Sequence, residues 1–156
     1  MSHSPIVSNS SPLIALAQIG HLDLLHQIFR NILVPPAVVL EVTPPLTLPS
    51  WIAQQPLAQP MGARVLAASL GSGEREAICL ALESSAQWLI LDDRPARRLA
   101  TALGLPIIGT IGVLMAAKRH ALLGAVRPCL DALIQHGFYV SPTLYEQALQ
   151  QAGEAP

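Results

Sequence analysis

Short apolar runs alternate with helical periods along this chain. The segments PIVSN, NILVP, WLILD, LPIIG and FYVS predict strands. Patterns of period 3.6 begin near Pro12, His21, Pro36, Gly73, Arg94, Ile111, Val126 and Pro142. Three of them open on residues that start helices: Ser11 before Pro12, Asp93 before Arg94-Pro95, and Ser141 before Pro142. WLIL is apolar on both faces, as expected of a strand whose sheet is covered by helices on both sides. The alternation predicts an α/β fold with a central, mostly parallel sheet. Thr43–Pro60 is proline-rich and weakly patterned, and reads as a loop with one short element around Trp51. With 156 residues and no internal repeat, the chain reads as one domain over residues 1–156.

In such a sheet ligands bind beyond the carboxyl ends of the strands. PIVSN ends in Ser8-Asn9, WLIL in Asp92-Asp93 and LPIIG in Gly109-Thr110, so polar and acidic groups converge where a site belongs. Asp93 has an ordinary use as the cap of the following helix, worth about 1 kcal/mol. Asp92 has no such use, and an acid at the end of a buried strand is costly unless something compensates it. In GSGEREAICLALESS, Glu74 shares one helical stripe with Ala77, Ile78, Ala81 and Leu82, and so points toward the sheet edge. Glu76 lies about 200° further round the helix and is expected to face solvent or a partner. Glu41 ends PPAVVLEVT on the apolar stripe of Ala37 and Val38; it either pairs with a base such as Arg64 or Arg97, or faces a cavity. Asp23, Glu83, Asp131, Glu146 and Glu154 read as solvated charges on helix faces.

Composition narrows the chemistry. The chain is 51% hydrophobic and 12% charged, against about a quarter charged in ordinary domains. That excess points to surface hidden in an oligomer, with a homodimer expected and the Ile111–Leu123 helix as its candidate interface. No run approaches the roughly 20 unbroken apolar residues of a membrane span. No basic region precedes a long apolar stretch at the amino end, so a cytoplasmic protein without a signal peptide is expected. Cys79 and Cys129 lack metal-ligand spacing and read as reduced thiols. The five histidines lack it too, and no serine or cysteine sits in a nucleophile motif. GSGEREA lacks the Gly-Lys-Ser/Thr ending of a phosphate-cradling loop. Carboxylates at the sheet end remain, and such hard oxygen ligands suit Mg²⁺ or Mn²⁺ sites that activate water for phosphodiester cleavage.

The net charge of −1 gives no general pull toward nucleic acid. Arg94, Arg97 and Arg98 nevertheless follow Asp92-Asp93 directly and are candidates to hold phosphates, with Lys118-Arg119 as a second cluster. The same arginines would serve as a solvated face or as partners of the acids, Arg97 being the one expected to turn inward. Aromatic residues are only 4% of the chain, which argues for contact with an RNA backbone more than with its bases.

IVSNSSPLIALAQIG, ILVPPAVVLEV, GSGEREAICLALE followed by LILDDRPARRLA, and LPIIGTIGVLMAAKRHAL together resemble the PIN domain family of metal-dependent ribonucleases. Many small bacterial and archaeal members of that family are toxins of toxin–antitoxin pairs. The resemblance covers nearly the whole chain and implies a PIN-like, Rossmann-like parallel sheet. It places the family's acids at Asn9, Glu41, Glu74 and Asp92, with Asp93 adjacent, around one or two divalent ions. Asn9 stands where the family usually has aspartate, so its amide oxygen would ligate the ion or its water without adding charge, and weaker binding is expected. The implied function is an Mg²⁺- or Mn²⁺-dependent ribonuclease with RNA as substrate and a small antitoxin as partner. The alternative is a catalytically weakened PIN-like module that binds RNA or a protein.

Overall fold

The computed structural model describes residues 4–60 and 69–154. Five short parallel strands form its sheet: β1 (Ile6–Ser8), β2 (Ile32–Val34), β3 (Ile52–Gln54), β4 (Trp88–Ile90) and β5 (Ile107–Ile108). Their spatial order is β3-β2-β1-β4-β5. Among the described residues the helices are α1 (Ser10–Gln18), α2 (Asp23–Phe29), α3 (Pro36–Val42), α4 (Ser72–Ser84), α5 (Arg94–Ala102), α6 (Thr110–Arg119), α7 (Arg127–Gln135) and α8 (Pro142–Gln151). This is the α/β architecture that the alternation predicts. Among the described residues no helix is long and apolar enough to cross a membrane.

Strand alternation builds two cores. Ile6, Ile32, Val34, Ile52 and Ile90 face one side, where they meet Leu13 and Leu16 of α1, Leu25 of α2, Leu114 of α6 and Leu130 of α7. Val7, Leu89 and Leu91 face the other, against Ala77, Ile78 and Ala81 of α4 and Ala96 and Ala100 of α5. The small alanines let α4 and α5 lie close to the sheet. Each fully buried leucine or isoleucine contributes about 1.5–3 kcal/mol from area removed from water.

Several expectations are corrected. FYVS is not a strand. Phe138 N donates to Leu133 O at 2.9 Å and Gly137 N donates to Ile134 O at 3.0 Å, with Gly137 at φ +91°. That pattern is the left-handed C-cap of α7. Three residues further on, Ser141 accepts from Leu144 N at 3.1 Å and caps α8. The segment is thus a connector pinned by helix ends on both sides. The one short element expected around Trp51 is present, as the edge strand β3, in register with β2 from Ile32 opposite Ile52 to Val34 opposite Gln54. The helix expected from Ile111 to Leu123 ends at Arg119, and its apolar face is already used: Val113, Leu114 and Ala117 are wholly buried within the chain. It therefore leaves little to offer a second copy.

The chain moves outward from β1 through β2 to β3, then returns to the far side of β1 for β4 and β5. The order reverses between β1 and β4, so the crevice beyond their carboxyl ends is the switch point at which parallel sheets bind ligands.

Candidate functional site

Asn9 ends β1 at that crevice, and its backbone N donates to Ile90 O of β4 at 3.0 Å. It occupies the N-cap position of α1, where an asparagine oxygen ordinarily accepts from the first turn. Here the side chain makes no capping bond. Asn9 is 1% exposed, and its Oδ1 is the one buried side-chain polar atom among the described residues with no partner. Leaving a buried acceptor unpaired costs about 1–3 kcal/mol, so the position is not explained by folding alone.

Asp92 stands on the neighbouring strand end. Its Oδ1 accepts from Thr110 N at 2.8 Å and its Oδ2 from Thr110 Oγ1 at 2.6 Å, so it receives the first amide of α6, whose own cap is a glycine. Thr110 is wholly buried. A Cβ on Gly109 would lie 2.8 Å from Asp92 Oδ1 and 3.0 Å from Arg97 Nη1, so a glycine is needed there for space. Arg97 does turn inward, donating from Nη1 to Leu91 O at 2.7 Å. Burial pushes the Asp92 carboxyl above its ordinary range, and the Thr110 bonds and the Arg97 charge only partly offset this.

Glu74 opens α4 on the same crevice. Desolvation raises its pKa, and the charges of Glu41 and Asp93 raise it further. Its stripe is confirmed at Ala77, Ile78 and Ala81, whereas Leu82 is exposed. Glu76, expected to face solvent or a partner, finds its partner within the chain: its Oε1 accepts from Ala37 N at 2.9 Å and ties the start of α3 to α4. Glu41, on α3, is exposed overall, but its Oε1 accepts from Ser10 Oγ of α1. It lies against Gly73, where an added Cβ would come within 2.8 Å of its Cδ. Of the two arginines expected as partners of Glu41, Arg97 bonds elsewhere, and Arg64 lies outside the described residues. Asp93 caps α5 through Oδ2, accepting from Ala96 N at 3.0 Å.

Glu74, Asp92, Asp93, Arg94 and Arg97 line one open cleft of about 960 Å³. Asn9 and Glu41 are not in its wall; Asn9 is buried, and Glu41 accepts from Ser10. Arg98 is exposed and does not line the cleft. Lys118 does not line it either, being held by Glu154 Oε2 at 2.8 Å and by Ala152 O at 2.5 Å. Glu154, expected to be solvated, also accepts from Val126 N at 2.6 Å and Arg127 N at 3.0 Å. Glu83 likewise accepts from Ala58 N and Gln59 N, and Asp131 from the Tyr145 hydroxyl. Ser10 and Thr110, which hold two of the acids, had a signal in the sequence: both follow strand ends. Gly73 and Gly109 had none, since their need is a close approach visible only in three dimensions.

The donors at this end of the sheet are hard oxygens, and Asn9 Oδ1 among them is buried and unpartnered, a chemistry that fits a divalent cation. Among the described residues, no three of His, Cys, Asp and Glu stand close enough to share one ion as they are placed. A parallel sheet with acids at its switch point defines an α/β protein with a polar cleft beyond the carboxyl ends of its strands. The comparison with family models agrees: the one described as PIN domain matches residues 5–154, and the chain belongs to that family. No curated protein and no solved structure gives a significant match.

Proposed function

We propose that this chain is a divalent-metal-dependent ribonuclease acting on RNA phosphodiester bonds, and the toxin component of a toxin–antitoxin pair. The observation that carries the reading is the orphaned Asn9 Oδ1 at the switch point, beside the strand that delivers Asp92. Asn9, Glu41, Glu74 and Asp92, with Asp93 next to them, are the residues that would hold Mg²⁺ or Mn²⁺. The ion would supply an activated water and stabilise charge developing on the phosphate. The chain's own share is to position and to neutralise. Thr110 fixes both oxygens of Asp92, and Ser10 fixes one of Glu41. Glu76 braces α3 against α4, so that Glu41 and Glu74 keep their relation. Arg94, on the cleft wall, is the base best placed for an entering phosphate, and Arg97 offsets the charge of Asp92.

A small antitoxin protein, a homodimeric state and a cytoplasmic location belong to the same proposal, and rest on the family and on the low charge content. The whole chain is proposed to form one domain. A second reading, a PIN-like module that binds RNA or a protein without cutting, is favoured by the neutral Asn9 and by the double engagement of Asp92. An RNA cleavage assay with Mn²⁺, with EDTA, and with Glu74→Gln separates the two. Cleavage that needs Mn²⁺ and is lost in Glu74→Gln supports the nuclease. An RNA that is bound but left intact under Mn²⁺ supports the module.

A further inference from the structure

Part of the cleft lining is not explained by the acids. It comes from the pinned connector after α7 and from one stripe of α8: Phe138, Tyr139, Leu144, Gln147 and Gln151. None of these carries a formal charge, whereas Glu74, Asp92, Asp93, Arg94 and Arg97 of the same lining do. Composition suggested that stacking platforms are scarce, with two each of Phe, Trp and Tyr in the chain. Placement reverses that conclusion, because one adjacent Phe-Tyr pair falls in this lining.

The way the pair is held matters. The C-cap of α7 sends Phe138 into the core, where it packs with the helix it terminates. Tyr139 is thereby turned outward and is 74% exposed, the most exposed aromatic ring among the large hydrophobic residues. The capping bonds at Gly137 and Ser141 fix the backbone on both sides of it. A ring carried on a fixed backbone and left open needs only its own side-chain torsions to be ordered when a planar partner stacks on it. Leu144, Gln147 and Gln151 recur at helical spacing on α8, so an apolar side chain and two primary amides line the same cleft as the ring. Amides can donate to and accept from base edges.

We infer that this part of the cleft is a base-binding subsite: one unpaired nucleobase of an RNA strand stacks on Tyr139, with its edge against Gln147 and Gln151, while the adjoining phosphate lies toward Arg94 and the acids. The inference rests on the ribonuclease reading for its substrate class. The cleft's 960 Å³ is at the upper end of the roughly 300–1,000 Å³ of small-ligand sites, enough for a nucleotide and its neighbour's phosphate. A lining that combines charged side chains with an aromatic ring and amides matches a nucleotide, which is anionic at one end and aromatic at the other. Tyr139 belongs here to substrate binding and specificity, and no proton transfer is assigned to it.

The test uses the full chain and two fluorescein-labelled ten-nucleotide probes, a mixed-sequence single-stranded RNA and an abasic strand of equal length and charge. Binding is followed by anisotropy in Ca²⁺, with the probe checked on a gel for integrity. Tyr139→Ala is expected to weaken RNA binding about tenfold, as for loss of one stacked base, and to leave the abasic strand unchanged. Tyr139→Trp should restore RNA affinity, and its added emission should be quenched by the RNA and not by the abasic strand. Gln147→Ala should change which base is preferred. Unchanged RNA binding in Tyr139→Ala, or an equal loss for both probes, would overturn the subsite. The two readings fail separately. Tyr139-dependent binding without Mn²⁺-dependent cleavage refutes only the nuclease, whereas cleavage at wild-type kcat/KM by Tyr139→Ala refutes only the subsite.

Discussion

Two carboxylate corners of this molecule invite comparison. At one, Glu154 receives Lys118 Nζ and the first amides of α7, and these bonds hold its pKa down to about 2. At the other, burial and neighbouring acids push Glu74 up, and burial pushes Asp92 up despite two bonds from Thr110. The first corner is satisfied by the chain itself. The second contains an unpartnered buried oxygen and acids that repel one another, and a cation would relieve both. The difference separates an acid whose charge the chain's own donors offset from acids whose burial and mutual repulsion the chain offsets only in part.

The largest expected effect comes from removing an acid of the second corner. Glu74→Gln should reduce Mn²⁺-dependent RNA cleavage by at least about 100-fold, beyond the ~10–100-fold typical of outer-shell changes, measured as kcat/KM. Its melting temperature in EDTA should not fall, because the lost charge was repelled by Glu41 and Asp93. Gly109→Ala comes next. The new Cβ would crowd Asp92 Oδ1 and Arg97 Nη1, costing about 1–3 kcal/mol in urea unfolding and weakening metal binding at the same time.

Asn9→Asp sharpens the comparison by making the second corner more acidic. It should tighten Mn²⁺ about tenfold in calorimetry, because divalent affinity follows ligand charge. In EDTA the same variant should be less stable by about 1–3 kcal/mol, because it places a charge in a site that is 1% exposed.

The smallest effect is the pH signature of the first corner. The Glu154 carboxyl is depressed from 4.5 to about 2, so its contribution to stability is complete above 4.5 and is lost as pH falls toward 2. Glu154→Gln should therefore lower Tm by about 2–5 °C at pH 7 and match wild type near pH 2, with cleavage unchanged. Glu74 and Asp92 have the opposite sign. Their raised pKa values mean that protonation favours the metal-free fold, and that Mn²⁺ affinity falls with acidification already above the ordinary carboxylate range.

The sheet and most helices were legible in the sequence because periodicity and capping residues are local. Asp93 and Ser141 cap as their positions suggested. FYVS misled because its β-like composition serves a connector whose shape is set by Gly137 and Ser141 on either side. The acids at Glu74 and Asp92 could be found from strand ends and one stripe. Their keepers could not: Thr110 lies 18 residues from Asp92, Glu41 lies 31 from Ser10, and Glu76 lies 39 from Ala37. Lys118 and Glu154 looked like free charges for the same reason, since their pairing depends on how the chain's end returns to α6 and α7.

The most direct test is calorimetric titration of Mn²⁺ into the full chain at pH 7, with Asp92→Asn in parallel. A single class of binding in the wild type that disappears in Asp92→Asn is the expected result, and it would locate the ion at the switch point. Absence of binding up to millimolar Mn²⁺, or binding that Asp92→Asn leaves intact, would contradict a metal centre at these acids.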